Sequence, residues 1–241
     1  MIREPFWRAL ADFLFPPKCP LCGKFGEENG GGRFCSSCLA EFISFSHPLC
    51  PRCGRSFATP AGEDHLCGEC LTAERFFTRA RSLGPYEGKM VEAIARFKYR
   101  GATHLGKPLG KLLAEYKDDE FSFSRFQRVI PVPLNVKRLR QRGFNQSLLL
   151  TRQVARGRAL PLDFQSLQRI RNTPPQTQLS GADREKNIRG AFAVTAPEAI
   201  AGKHILLIDD VFTTGATVQE CAKMLKKAGA EQVDVLTLAR A

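Results

Sequence analysis

No apolar run in the 241 residues approaches the roughly 18–20 needed to cross a bilayer, so no membrane span is expected. The N-terminus, Met1-Ile2-Arg3-Glu4-Pro5-Phe6-Trp7-Arg8, lacks the form of a signal peptide. Arg8 and Asp12 interrupt its apolar stretch and no small-residue cleavage site follows. The expected location is therefore the cytoplasm. Cysteine nearly vanishes beyond residue 70, where only Cys221 of the nine is found. Acids are scarce between 125 and 189, with three against fourteen Lys and Arg. The rest is ordinary: 43% hydrophobic and 25% charged residues lie near the globular average and exclude wholesale disorder. The length suits one large domain or two small ones of about 100–150 residues.

Charge divides unevenly along the chain. Residues 1–78 carry net −1 and residues 79–241 carry +13, giving the overall +12. The 125–189 stretch alone carries +11. Such an excess points to a phosphate-rich ligand or nucleic acid, with a basic solvated face as the bland alternative.

Eight cysteines form four C-x-x-C pairs: Cys19/Cys22, Cys35/Cys38, Cys50/Cys53 and Cys67/Cys70. One pair places two thiolates on a metal and two pairs complete a tetrahedron, so two structural zinc ions are expected. Pro20 and Gly23, and again Pro51 and Gly54, stand where the chain must wrap the ion. Sequential pairing is the simpler arrangement, and an interleaved cross-brace stays open. A disulfide framework would need an oxidising compartment. A thioredoxin-like redox site would use one C-x-x-C, not four. Four thiolates leave no open coordination position, which argues against catalysis by the metal. A unit of about 50 residues has too little core to fold alone, and metal supplies that stability. With two tetrathiolate centres the module becomes strongly acidic, which opposes its tracking a phosphate backbone. Phe34, Phe42 and Phe57 are expected in its packing more than stacked on bases. His47 and His65 are spare, since eight thiols satisfy two metals. Ahead of it, Phe6, Trp7, Leu10, Phe13 and Leu14 recur at helical spacing. The expected organisation is an amphipathic helix over 1–17, a double metal ribbon over 18–75 and an α/β domain over 79–241.

From residue 79 the pattern alternates helix and strand. Met90, Ile94 and Phe97 share a helical face, and helices are expected over 107–117, 146–160 and 216–228. Strands are expected over 128–133, 204–208 and 232–238. This alternation predicts a parallel sheet with helices on both faces. Cys221 shares a helical face with Val218 and Leu225 and reads as a core residue.

The chemistry concentrates in Ile205-Leu206-Leu207-Ile208-Asp209-Asp210-Val211-Phe212-Thr213-Thr214-Gly215-Ala216-Thr217. An apolar strand delivers two carboxylates to its C-terminal end, where open α/β sheets bind ligands. A Thr- and Gly-rich loop then opens a helix, whose N–H groups and hydroxyls can cradle a phosphate. Carboxylates beside a phosphate nest suit hydroxyls, so the pattern asks for a 5-phosphorylated ribose.

This segment resembles the phosphoribosyl-pyrophosphate (PRPP) loop of type I phosphoribosyltransferases. Further motifs are Phe97-Lys98-Tyr99-Arg100-Gly101, Pro131-Val132-Pro133-Leu134 with Arg138, and Arg142-Gly143-Phe144-Asn145-Gln146. Thr173, Gln176, Leu179, Arg184, Asn187 and Gly190-Ala191-Phe192 follow. Together with the cysteines they resemble the ComF/GntX family, which joins a double zinc ribbon to a phosphoribosyltransferase domain. The resemblance covers nearly the whole chain. It implies that Asp209 and Asp210 hold the ribose hydroxyls and act in any catalysis, that Thr213 to Thr217 hold the 5-phosphate, and that Val211 and Phe212 also belong to the PRPP-binding residues. It implies that the turn after the 129–133 strand faces the pyrophosphate, with Arg138, Arg142 and Lys98 nearby to meet its charge, that Pro131, Val132 and Pro133 are among the PRPP-binding residues, and that magnesium is bound with PRPP. Residues 171–190 fall where type I enzymes carry a mobile loop. The family's association with competence implies single-stranded DNA and the DNA-uptake machinery as partners. A transferase reaction on an unidentified acceptor and a non-catalytic PRPP sensor are the alternatives. Glutamine-dependent amidophosphoribosyl transfer is not expected, because the chain begins Met1-Ile2 and its early cysteines are committed to metal.

Overall fold

The computed structural model describes residues 18–25, 33–42, 45, 47–58, 62–118, 120–173 and 186–241. The helix expected over 1–17, and Gln176, Leu179 and Arg184, lie outside those residues. The strands are β1 (Arg79–Pro85), β2 (Arg128–Pro131), β3 (Leu167–Arg169), β4 (Phe192–Val194), β5 (His204–Phe212) and β6 (Gln232–Arg240). The helices used below are α1 (Ser36–Ala40), α2 (Gly68–Thr72), α3 (Gly88–Tyr99), α4 (Gly106–Ala114), α5 (Val136–Arg142), α6 (Gln146–Arg158) and α7 (Ala216–Lys227).

β5 and β6 are almost wholly buried and form the centre of a parallel sheet ordered β1-β6-β5-β2. Alternate residues of a strand face opposite sides, so one apolar run feeds two cores. Leu206 and Ile208 join Met90, Ile94, Phe97, Leu109, Leu113 and Leu150 from α3, α4 and α6. Ile205 and Leu207 join Val218, Cys221, Ala222 and Leu225 of α7. Cys221 is fully buried there, as expected.

The cysteines gather sequentially, Cys19, Cys22, Cys35 and Cys38 in one group and Cys50, Cys53, Cys67 and Cys70 in the other. Each half repeats one plan. A knuckle turn closes through Gly23 N–H to Cys19 O (2.9 Å) or Gly54 N–H to Cys50 O (2.8 Å), and the later pair opens a five-residue helix, α1 or α2. Phe34 and Phe42 are buried edge to face, Phe57 stacks on His65, and His47 pairs with Asp64.

The two halves dock on different cores. Cys19, Leu21, Phe34, Cys38 and Phe42 pack with the α3/α4/α6 layer, and Cys50, Cys53, Cys67 and Cys70 pack with the α7 layer. The second knuckle lies along the outer edge of β1. Ala80 N–H donates to Arg52 O (2.7 Å) and Arg81 Nη1 to Pro51 O (3.1 Å). A bare strand edge invites foreign pairing, and here the metal module covers it. At the other edge Val129 N–H donates to Pro161 O (2.9 Å), and Val129 O accepts from Asp163 N–H (3.0 Å).

The sequence reading missed β1, β3, β4 and α5. β1 reads Arg-Ala-Arg-Ser-Leu-Gly-Pro, with no apolar run to announce it, and its polar side chains find tertiary partners. Arg81 is bound to Asp118 (2.7 Å) and Ser82 to Thr237 (2.6 Å). β5 also runs four residues further than expected, pairing Asp209 with Thr237 and Phe212 with Arg240. The acids therefore stand inside the strand, and the turn shrinks to Thr213–Gly215.

Gly54 has φ +70°, and a Cβ there would lie 2.7 Å from Ala80 O. Gly54→Ala should destabilise the protein by about 1–3 kcal/mol or more, read as a lower denaturation midpoint. Stripping the metal should speed amide exchange at Ala80, whereas exchange unchanged after complete metal loss would contradict the edge-covering role.

Candidate functional site

A cavity of about 770 Å³ opens at the carboxyl ends of β2 and β5, walled by α3, α5 and the start of α7. This is where a parallel sheet presents ligand sites. Asp209, Asp210, Val211, Phe212, Thr213, Gly215, Ala216 and Thr217 line it, as do Val132, Pro133, Lys98, Arg138 and Arg142. Pro131 ends β2 opposite Ile208, and Thr214 accepts a hydrogen bond from Ala216 N–H (3.4 Å). Neither reaches the cavity wall.

Both carboxylates are buried, and each has a partner from a helix. Lys98 Nζ, on α3, lies 2.8 Å from Asp210 Oδ1. Burial alone would lower the Lys98 pKa, but Asp210 and then Asp209 outweigh it and the value is raised. Ser147, on the first turn of α6, donates to Asp209 Oδ1 (2.8 Å). Asn145 caps that helix, accepting from Ser147 N–H (3.0 Å). Burial and then repulsion from Asp210 push Asp209 up to about 7, with Lys98 and Ser147 restraining the rise. Asp210 Oδ2 is buried without a hydrogen-bond partner among the described residues.

Gly215 caps α7 with φ +77°. A Cβ there would lie 2.5 Å from the Phe212 ring, so only glycine lets the loop settle on that buried ring. Ala216, Thr217 and Val218, the first residues of the twelve-residue α7, line the cavity at the positive end of the helix. Across from them stand three guanidinium groups. Arg138 and Arg142 come from α5 and Arg169 from β3. None has a carboxylate within 4.0 Å among the described residues. Arg142 donates to Gln146 Oε1 (2.6 Å) and sits over the Tyr99 ring (5.4 Å). Arg138 Nη2 and Arg169 Nε are buried with no hydrogen-bond partner among the described residues. Burial, then the neighbouring cation, lowers the pKa of both. Arg169 and Ser147 were missed in the sequence. Neither lies in a phosphate-loop pattern, and only the β3–β4 ribbon and the α6 cap carry them to the acids.

The metal groups can be tested on geometry. Four ligands about 2.3 Å from a tetrahedral centre stand about 3.8 Å apart. The observed Sγ separations include Cys19–Cys38 at 3.8 Å, Cys22–Cys35 at 3.6 Å and Cys53–Cys67 at 3.7 Å, far from the roughly 2.05 Å of a disulfide. The Ser37 hydroxyl lowers Cys35 to about 6. Burial opposes ionisation of Cys50, but the N–H groups of Cys53 and Cys67 bring it to about 7. Burial and neighbouring cysteines push Cys38, Cys53 and Cys70 up instead, a crowding of thiols that a divalent cation relieves, and the Sγ spacing of both tetrads fits structural zinc.

Residues 10–71 match the double zinc ribbon domain family, and residues 145–241 match the phosphoribosyl transferase domain family. Competence protein F of Haemophilus influenzae is 33% identical, over 86% of this chain and 90% of its own. The DNA utilization protein YhgH of Escherichia coli K12 is 32% identical, over 93% of this chain and 97% of its own. Competence protein ComFC of Bacillus subtilis is 30% identical, over 99% of this chain and 90% of its own. The chain belongs to the ComF/GntX family. The second cysteine group packs along β1, which lies between the two matched segments. Among the described residues, no helix is long and apolar enough to cross a membrane.

The Asp209 carboxyl should titrate near 7 in carbon-13 NMR, and Lys98→Met should move it higher. An unfolded Asp titrates near about 3.9, so the native state holds the extra proton between the two values. This group's contribution to stability should be full below about pH 4 and lost as pH rises through about 7. Asp209→Asn should flatten that slope, and a slope unchanged in the variant would contradict the assignment.

Proposed function

We propose that the protein binds PRPP and serves DNA uptake or DNA utilisation by handling single-stranded DNA. One observation carries the ligand reading. An orphaned buried acceptor on Asp210 and orphaned buried donors on Arg138 and Arg169 share one cavity with the N-terminus of α7. Buried polar atoms seek partners, and a ligand with ribose hydroxyls at one end and phosphates at the others supplies them together. The ribose would sit on Asp209 and Asp210, its 5-phosphate on the Thr213–Gly215 turn and the first residues of α7, and the pyrophosphate between Val132-Pro133 and the three guanidinium groups.

Magnesium suits this arrangement as a companion of the pyrophosphate. Mg²⁺ is usually held by one or two carboxylates plus substrate phosphates. Lys98 neutralises Asp210, which leaves Asp209 as the carboxylate for that ion. The ion supplies charge neutralisation when bound. Arg138, Arg142 and Arg169 orient the pyrophosphate and would stabilise its charge were it to leave. That placement also favours the second reading, a transferase in which an acceptor displaces pyrophosphate at C1.

The DNA reading is supported by relatives named as competence and DNA utilization proteins. Exposed Lys137, Arg140, Arg152 and Arg156 also lie outside any ion pair among the described residues. These charges lie beyond the cavity and remain available when a small ligand fills it.

Calorimetry with PRPP and magnesium should show binding that Asp209→Asn with Asp210→Asn abolishes. Arg169→Ala should weaken PRPP by about 1.5–3 kcal/mol while sparing ribose 5-phosphate, because only the former carries the pyrophosphate. Equal loss for both would move Arg169 out of the pyrophosphate site. Pyrophosphate release in the presence of an acceptor would favour the transferase. For DNA, Lys137→Ala with Arg140→Ala should reduce the logarithmic salt slope by about 1.4, at about 0.7 per phosphate contact on a single strand. An unchanged slope would place the DNA elsewhere.

A further inference from the structure

Arg240 closes β6, and its guanidinium is buried at 7% exposure. A buried guanidinium stays charged and needs a compensating partner. Among the described residues no carboxylate lies within 4.0 Å of it. Its hydrogen bond is to the second cysteine group instead, with Nη1 donating to the Cys53 carbonyl at 2.7 Å. Four thiolates on a divalent zinc carry a formal charge of about −2, a fitting counter-ion for a cation with no carboxylate of its own.

The other face of the same guanidinium meets the site. Its Cζ stands 4.6 Å from the centre of the Phe212 ring. That ring lies under Gly215, at whose position a Cβ would meet its atoms at 2.5 and 2.9 Å. Phe77 packs edge-on against the same ring (5.9 Å), and Ala241 N–H donates to Phe212 O (2.9 Å). Metal knuckle, guanidinium, aromatic ring and phosphate-loop glycine thus follow one another in direct contact. The first cysteine group packs in the other core and has no part in this series.

We propose that the second metal centre, acting through Arg240 and Phe212, holds the Thr213–Thr217 loop in its phosphate-binding shape, so that occupancy of that centre sets the affinity for a sugar phosphate. Arg240 is a positioning residue: it does not line the cavity, and it acts through the ring beneath the loop. The affinity half of this inference rests on the ligand reading above, whereas the loop-order half does not.

The test combines zinc content, amide exchange across 213–217 and calorimetry with ribose 5-phosphate, all on the full chain. Arg240→Met should keep two zinc ions and native exchange in β5 and β6. It should speed exchange at 213–217 and weaken ribose 5-phosphate by about tenfold, an ordinary size for coupling between sites. Arg240→Lys should recover part of both effects. If Arg240→Met does not fold, Phe212→Leu decides: it keeps apolar bulk but removes the planar contact, and should loosen the loop with both zinc ions in place. Unchanged loop exchange in the folded variant with full zinc would overturn the proposal. Wild-type protein that ignores ribose 5-phosphate, with loop exchange still faster in Arg240→Met, would overturn the ligand reading and leave the mechanical link standing.

Discussion

Two carboxylates on neighbouring residues of a buried strand repel each other and lose hydration together. That pair can persist only if the fold brings a cation and hydrogen-bond donors to it. Lys98 provides the cation and Ser147 a donor, so the docking of α3 and α6 onto the end of β5 is a condition for having the site at all. One acceptor of Asp210 stays unmet, as do donors on Arg138 and Arg169 across the cavity. The remaining mismatch is what a charged, hydroxyl-bearing ligand resolves.

The metal module braces this arrangement from two sides. The first half grips α3, the helix that carries Lys98, through Lys89–Glu41 (2.8 Å) and the bond from Arg96 to Leu21 O. The second half covers the free edge of β1 and reaches the Thr213–Gly215 turn through Arg240 and Phe212. The ribbon thus covers one edge of the four-stranded sheet and ties down α3, while residues 161–163 cover the β2 edge. The two cysteine groups therefore share the two cores of the α/β sheet, one on each side.

Much of the site was legible because its signals are local. The C-x-x-C spacing specifies ligands by chain geometry, and the buried β5 run followed by Asp-Asp and Thr-Thr-Gly specifies a strand, its polar end and a helix start. Lys98, Arg138 and Arg142 were legible through family motifs, though not the ion pair that ties Lys98 to Asp210. β1 was not legible, since Arg81 and Ser82 look like surface residues until Asp118 and Thr237 satisfy them. Arg169 was hidden for a similar reason: a lone arginine on a three-residue strand carries no pattern.

By itself the sequence determined which residues can hold zinc, which strand carries the acids and where a glycine must open a helix. Each follows from neighbours a few positions apart. Only the tertiary structure decided the pairing of the four cysteine pairs, the placement of the acids within the strand and the partner of each buried charge. Those outcomes depend on desolvation and on contacts between residues such as Lys98 and Asp210 or Arg240 and Cys53, which lie far apart along the chain and meet only once the cores are packed.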